Sequence, residues 1–98
     1  MERRRSPRAA IELECTLTRG KGGPIDAHTV DLGPAGMCVK CKRPLAEDEL
    51  VAFTIPHQEF LGRARVVREQ GYHVYALRFE EIADAQRAAL QALASASY

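Results

Sequence analysis

The sequence predicts an all-β fold: a small six-stranded antiparallel β-barrel with a C-terminal α-helix. Three observations carry this prediction. Apolar and polar residues alternate along most of the chain as far as Glu81, the signature of half-buried strands. The alternating runs are short and separated by turns rich in Gly and Pro. The period lengthens to that of a helix in the alanine-rich tail. With 98 residues, the chain is long enough for one domain, and closing the sheet into a barrel leaves a domain of this size without bare strand edges.

The elements follow in order. In IELECTL, Ile11, Leu13, Cys15 and Leu17 alternate with Glu12, Glu14 and Thr16, which predicts the first strand. RGKGGP then supplies Gly20, Gly22, Gly23 and Pro24 for a loop. AHTVDL and MCVKC predict the second and third strands, joined through GPAG. ELVAFTI predicts the fourth, with Val51, Phe53 and Ile55 on one face and Pro56 closing it. LGRARVVRE and YHVYALRFE predict the last two, with a hairpin turn across Gln70-Gly71. This assignment places His73, Tyr75, Leu77 and Phe79 on one face, and puts Arg68 on the face opposite Arg63 and Arg65. A helix over about residues 82–95 would present Ile82, Ala89, Leu90 and Leu93 together.

Charge is close to balanced, with 14 basic against 13 acidic side chains. Its distribution is not. Arg3, Arg4, Arg5 and Arg8 stand against Glu2 within residues 1–8, leaving 10 basic and 12 acidic groups in the rest of the chain. A general nucleic-acid binder spreads positive charge over a face and interleaves it with aromatic stacking platforms. This chain has three Phe, three Tyr and no Trp, so no DNA or RNA partner is expected. No run approaches the roughly 18 apolar residues of a membrane span, and the N-terminus has no apolar signal-peptide core. A cytoplasmic protein without membrane insertion is the expectation.

No catalytic, metal or redox centre is expected either. His28, His57 and His73 are scattered without a nucleophile–base pattern. Cys38 and Cys41 form a CxxC, but three residues apart on a strand they point to opposite faces, which suits neither metal coordination nor a disulfide. With Cys15, the odd number of cysteines also argues against a disulfide framework.

Two short motifs remain. Arg4-Arg5-Ser6-Pro7-Arg8 has RxxxR spacing directly ahead of the first strand, and Pro7 biases the segment away from helix. DLGPAG, residues 31–36, places an acceptor, Asp31, at a strand end, followed by Gly33 and Gly36, which permit positive φ and close approach of a ligand. In this order, ahead of and within a β-barrel, RRRSPR and DLGPAGMCV resemble the PilZ domain, a bacterial receptor for cyclic di-GMP, whose pattern is RxxxR followed by (D/N)xSxxG. Arg4 and Arg8 match the two arginines, Asp31 the acidic position and Gly36 the final glycine, while GRARVVRE and YALRF are similar to the family's closing strands.

The resemblance implies that cyclic di-GMP is the ligand, that no further cofactor is needed, and that the output passes to an as yet unidentified effector protein. Arg4 and Arg8 would hold phosphate oxygens or the guanine O6/N7 edge through their planar forks. Asp31 would accept from a guanine N–H edge, and Gly33 and Gly36 would bring backbone donors close. Arg3 and Arg5 are further candidates, and an arginine at position 3 is implied to allow a stacked pair of nucleotides. Gly33 departs from the pattern's serine; one lost hydrogen bond costs on the order of 0.5–1.5 kcal/mol, and the Gly33 N–H is the available substitute.

In this reading residues 1–9 form a flexible ligand clamp that folds onto the barrel of residues 10–98 when the dianionic ligand arrives, with a monomer or ligand-dependent dimer as the assembly. A PilZ-like interaction module that no longer binds nucleotide is the alternative.

Overall fold

A computed structural model of the chain describes residues 10–20, 22–56 and 60–96, with side chains as far as Ala92. The predicted clamp segment, with Arg3, Arg4, Arg5 and Arg8, lies outside the described residues, as does His57. Six strands, β1 (Glu14–Thr18), β2 (Ile25–Leu32), β3 (Gly36–Cys41), β4 (Leu50–Ile55), β5 (Phe60–Gly71) and β6 (Val74–Glu81), precede one helix, α1 (Asp84–Ala96). All pairings are antiparallel, and the sheet closes in the order β1-β2-β3-β6-β5-β4, with β4 returning to β1.

The core follows the alternation. Leu17, Leu32, Met37, Val39, Val51, Phe53, Ile55, Val66 and Leu77 point inward and are almost wholly buried. Phe53 and Phe79 stack across the interior with centroids 5.1 Å apart, a geometry that adds to their area burial. Leu90 of α1 covers part of this core, and Ile82 packs against it. Gln86 Oε1 accepts from the Leu61 N–H at 3.1 Å, fixing the helix to β5. Gln86 and Leu90, four residues apart, therefore set the covered face of α1, with Ile82 packing from just ahead of the helix, whereas Ala89, expected on that face, is exposed. The Leu93 side chain lies outside the described residues.

Two further expectations are corrected. The β5–β6 turn falls at Tyr72-His73, not at Gln70-Gly71: β5 extends to Gly71, which pairs with Val74. His73 takes the left-handed φ of 62° that the tight turn demands, so it leaves the inward row of Tyr75, Leu77 and Phe79. Arg68 also changes face. The register slips between Val66, opposite Leu77, and Arg68, opposite Ala76. Because Ala76 lies between two inward residues of β6, the bulge turns Arg68 to the outer surface with Arg63 and Arg65.

Cys15, Cys38 and Cys41 are buried free thiols. Met37, Val39 and Cys41 join the core cluster while Cys38 faces outward on the same strand, so the CxxC pair is split between faces. Burial pushes the Cys15 thiol up to about 12 and raises that of Cys41. Among the described residues no group of three or more His, Cys, Asp or Glu side chains is placed to hold a metal ion, and no helix is long and apolar enough to cross a membrane.

Candidate functional site

The site is built around the β2–β3 hairpin. Residues 33–35 connect the strands, and Leu32 and Met37, facing one another across it, both point into the core. Simple alternation back along β2 would then put Val30 inward, yet the fully buried residue is Thr29. A bulge at Thr29/Asp31 resolves this: Thr29 pairs with Val39 on the inner face, Val30 is extruded, and Asp31 pairs with Cys38 on the outer face. An outer row runs across four strands as a result: Asp31 of β2, Cys38 of β3, Ala76 of β6 and Arg68 of β5. The two middle side chains are small, giving a shallow floor between a carboxylate and a guanidinium. Gln70 Nε2 donates to Cys38 Sγ at 3.2 Å, and Arg68 Nη2 donates to Gln70 Oε1 at 3.2 Å, lining one side of that floor.

The connection itself is fixed by backbone contacts. The Gly33 N–H donates to the Gly36 carbonyl at 3.0 Å, and the Phe79 N–H to the Ala35 carbonyl at 3.0 Å. Arg87 of α1 reaches the Pro34 carbonyl through Nη1 at 2.8 Å. Neither Gly33 nor Gly36 has a left-handed φ; among the described residues that conformation belongs to Gly22, Asp48 and His73. The need for glycine at position 36 is steric. A Cβ there would stand 2.2 Å from the Leu77 carbonyl oxygen, so the close approach it permits is that of strand β6. Nor is the Gly33 N–H available to replace the serine hydroxyl, since it is already engaged within the turn.

Thr29 performs a task that the sequence pattern hides. Its N–H donates to the Leu13 carbonyl at 2.9 Å, its Oγ1 accepts from the Leu13 N–H at 2.9 Å, and its hydroxyl donates to the Ile11 carbonyl. Residues 11–13 are thereby tied along β2 just upstream of Asp31. Ile11 is three positions beyond Arg8, so the chain leading from the RxxxR motif joins the barrel beside the bulge. The odd interval from Ala27 to Leu32, both inward, was the sequence signal for this bulge.

Elsewhere the outer face is closed by ion pairs. Arg65 and Arg78 both engage Glu80, at 2.9 and 3.1 Å, and Arg63 engages Glu81 at 3.0 Å. The two guanidiniums hold the Glu80 carboxyl below its ordinary range. Arg19 grips Glu49 through Nε at 2.5 Å and Nη2 at 2.8 Å, lowering that carboxyl as well, chiefly through the side-chain hydrogen bond.

No curated protein sequence matches the chain. Among solved structures it is similar to the Bacillus subtilis inhibitor of motility, MotI/DgrA, with a TM-score of 0.79 and 19% identity over 98% of this chain. At that identity the likeness speaks for the fold, and the chain spans 51% of the length of that protein. A family model described as the PilZ domain matches residues 2–96, from the arginine segment through the helix. The chain belongs to the PilZ domain family.

Proposed function

We propose that this PilZ domain is a cyclic di-GMP receptor that passes the signal to a protein partner by changing its outer surface. The observation that carries this reading is the bulge at Thr29/Asp31, which turns Asp31 outward beside the point where the chain from Arg4 and Arg8 joins the barrel. This reading has the arginine half of the family motif meet Asp31 on that outer face.

The chemistry of each group suits the ligand. Arg4 and Arg8 supply planar, permanently charged forks for phosphate oxygens and for the O6/N7 edge of guanine. Asp31 accepts from the N1–H and exocyclic amine of guanine, which adenine does not offer in the same arrangement. Gly36 sets the depth of the turn through its contact with β6. Bringing several arginines against this face neutralises two phosphates and changes the surface available to an effector. Since Arg87 joins the turn to α1, the helix is the element through which a shift of residues 33–36 would be felt.

Isothermal titration with cyclic di-GMP, with GMP as the control, tests this directly on the wild type and on Arg4→Ala and Arg8→Ala variants. Micromolar or tighter binding that either variant loses is the expected result. Absence of heat at high ligand concentration would instead favour a nucleotide-independent interaction module.

A further inference from the structure

The far end of the β2–β3 hairpin carries a second cluster of charge. A pocket of about 580 Å³ lies where β2 begins and β3 ends, with Lys40, Lys42, Arg43, His28 and His73 around it and Asp26 as its one acidic lining residue. Ile25 and Ala27, side chains of the barrel core, also line it, so its base is apolar and its rim is basic.

The cations of this rim differ from the others in the domain. Among the described residues, Arg19, Arg63, Arg65 and Arg78 are ion-paired, Arg68 donates to Gln70 and Arg87 donates to a carbonyl. Lys40, Lys42 and Arg43 are the described cations without such a partner, and all three are exposed. Outside residues 1–8 acidic groups outnumber basic ones, 12 to 10, so counter-charges were available elsewhere on the chain. Three neighbouring cations left unpaired around an apolar recess suit an anionic partner.

We infer that this pocket docks an acidic protein segment, with carboxylates meeting Lys40, Lys42 and Arg43 and one aliphatic side chain entering the recess. Its size is that of a site for several side chains, well beyond the needs of a lone phosphate. The phosphate-cradling devices are also missing from its rim: the Cys41 N–H is already given to the His73 carbonyl at 3.0 Å, and His28 and Lys40 face one another within a regular ladder. Flexible lysines on an exposed rim fit carboxylates spaced along a peptide. The site stands whether or not the domain binds nucleotide.

The probe is a fluorescein-labelled octapeptide, Glu-Glu-Leu-Glu-Glu-Leu-Glu-Glu, followed by anisotropy against the whole chain at low salt. A Lys40→Ala/Lys42→Ala/Arg43→Ala variant should weaken binding about tenfold or more. An Arg63→Ala/Arg65→Ala/Arg78→Ala variant, with the same change in net charge, should stay within about twofold, as its cations are already paired. Lys40→Arg/Lys42→Arg should retain binding. In the wild-type protein, peptide-induced amide shifts should centre on residues 25–28, 40–43 and 73, a readout that does not depend on any variant folding. Equal losses in the two triple variants, shifts centred on residues 31–36, or no binding would overturn the proposal. So would displacement of the peptide by pyrophosphate or a short oligothymidylate at lower concentration than by unlabelled peptide.

Discussion

The β2–β3 and β5–β6 hairpins are built alike and stabilised differently. Each is antiparallel; the single register shift of the first turns Asp31 to the outer face, and one of the three in the second does the same for Arg68. The outer face of β5–β6 then satisfies its own charge, with Glu80 and Glu81 holding Arg63, Arg65 and Arg78. In β2–β3 the shape is fixed by main-chain contacts, the Gly33–Gly36 and Ala35–Phe79 hydrogen bonds and the approach of Gly36 to Leu77. Exposed ion pairs contribute little and are screened by salt; a backbone packed against its neighbour leaves little freedom to move. The turn with the family motif is therefore held by main-chain contacts to β6 that salt does not screen.

The strongest test of that contrast is Gly36→Ala. The new Cβ meets a carbonyl oxygen on β6 rather than a yielding side chain. The β3–β6 pairing must shift, with a loss of about 1–3 kcal/mol or more in urea unfolding. Thr29→Val is the next in size. It keeps the shape but removes the hydroxyl serving Leu13 and Ile11, at a cost of about 1–3 kcal/mol if those groups stay buried. Nucleotide affinity should fall with it, because residues 11–13 keep only the main-chain bond from Thr29 to Leu13 of the three that Thr29 makes to them.

Gly33→Ser restores the hydroxyl of the family pattern. It should tighten cyclic di-GMP binding by up to about tenfold in titration, the worth of one added hydrogen bond. The smallest effect belongs to the other hairpin. Arg63→Ala removes an ion pair in which both side chains are more than half exposed, and unfolding free energy should move by less than about 1 kcal/mol. A larger loss there than at Gly36 would reverse the comparison.

The strands were legible because inward Leu17, Val51, Phe53 and Leu77 recur with period two between turn residues. A single-residue slip shows in the alternation only as an odd interval between inward residues, as from Ala27 to Leu32. The β5 slip leaves no such mark before the inward residues are known. The β5 bulge moved Arg68 to the other face, and the added length of β5 moved the turn to Tyr72-His73. At the site, Asp31 and the glycines stood out as residue types, but their physical reasons lay in the neighbouring strand. Gly36 answers to the Leu77 carbonyl and the Gly33 N–H to Gly36 itself, partners distant or invisible in a one-dimensional pattern. Thr29 looked like an ordinary strand residue, since nothing in its neighbours reveals that its hydroxyl holds Ile11 and Leu13.

In the proposed function, the outer face beside the β2 bulge reads guanine through Asp31. The most direct measurement is a titration of wild-type and Asp31→Ala proteins with cyclic di-GMP and cyclic di-AMP. Strong wild-type preference for cyclic di-GMP, reduced toward parity in the variant mainly through weaker cyclic di-GMP binding, is the predicted result. A variant that keeps the full preference would contradict the account.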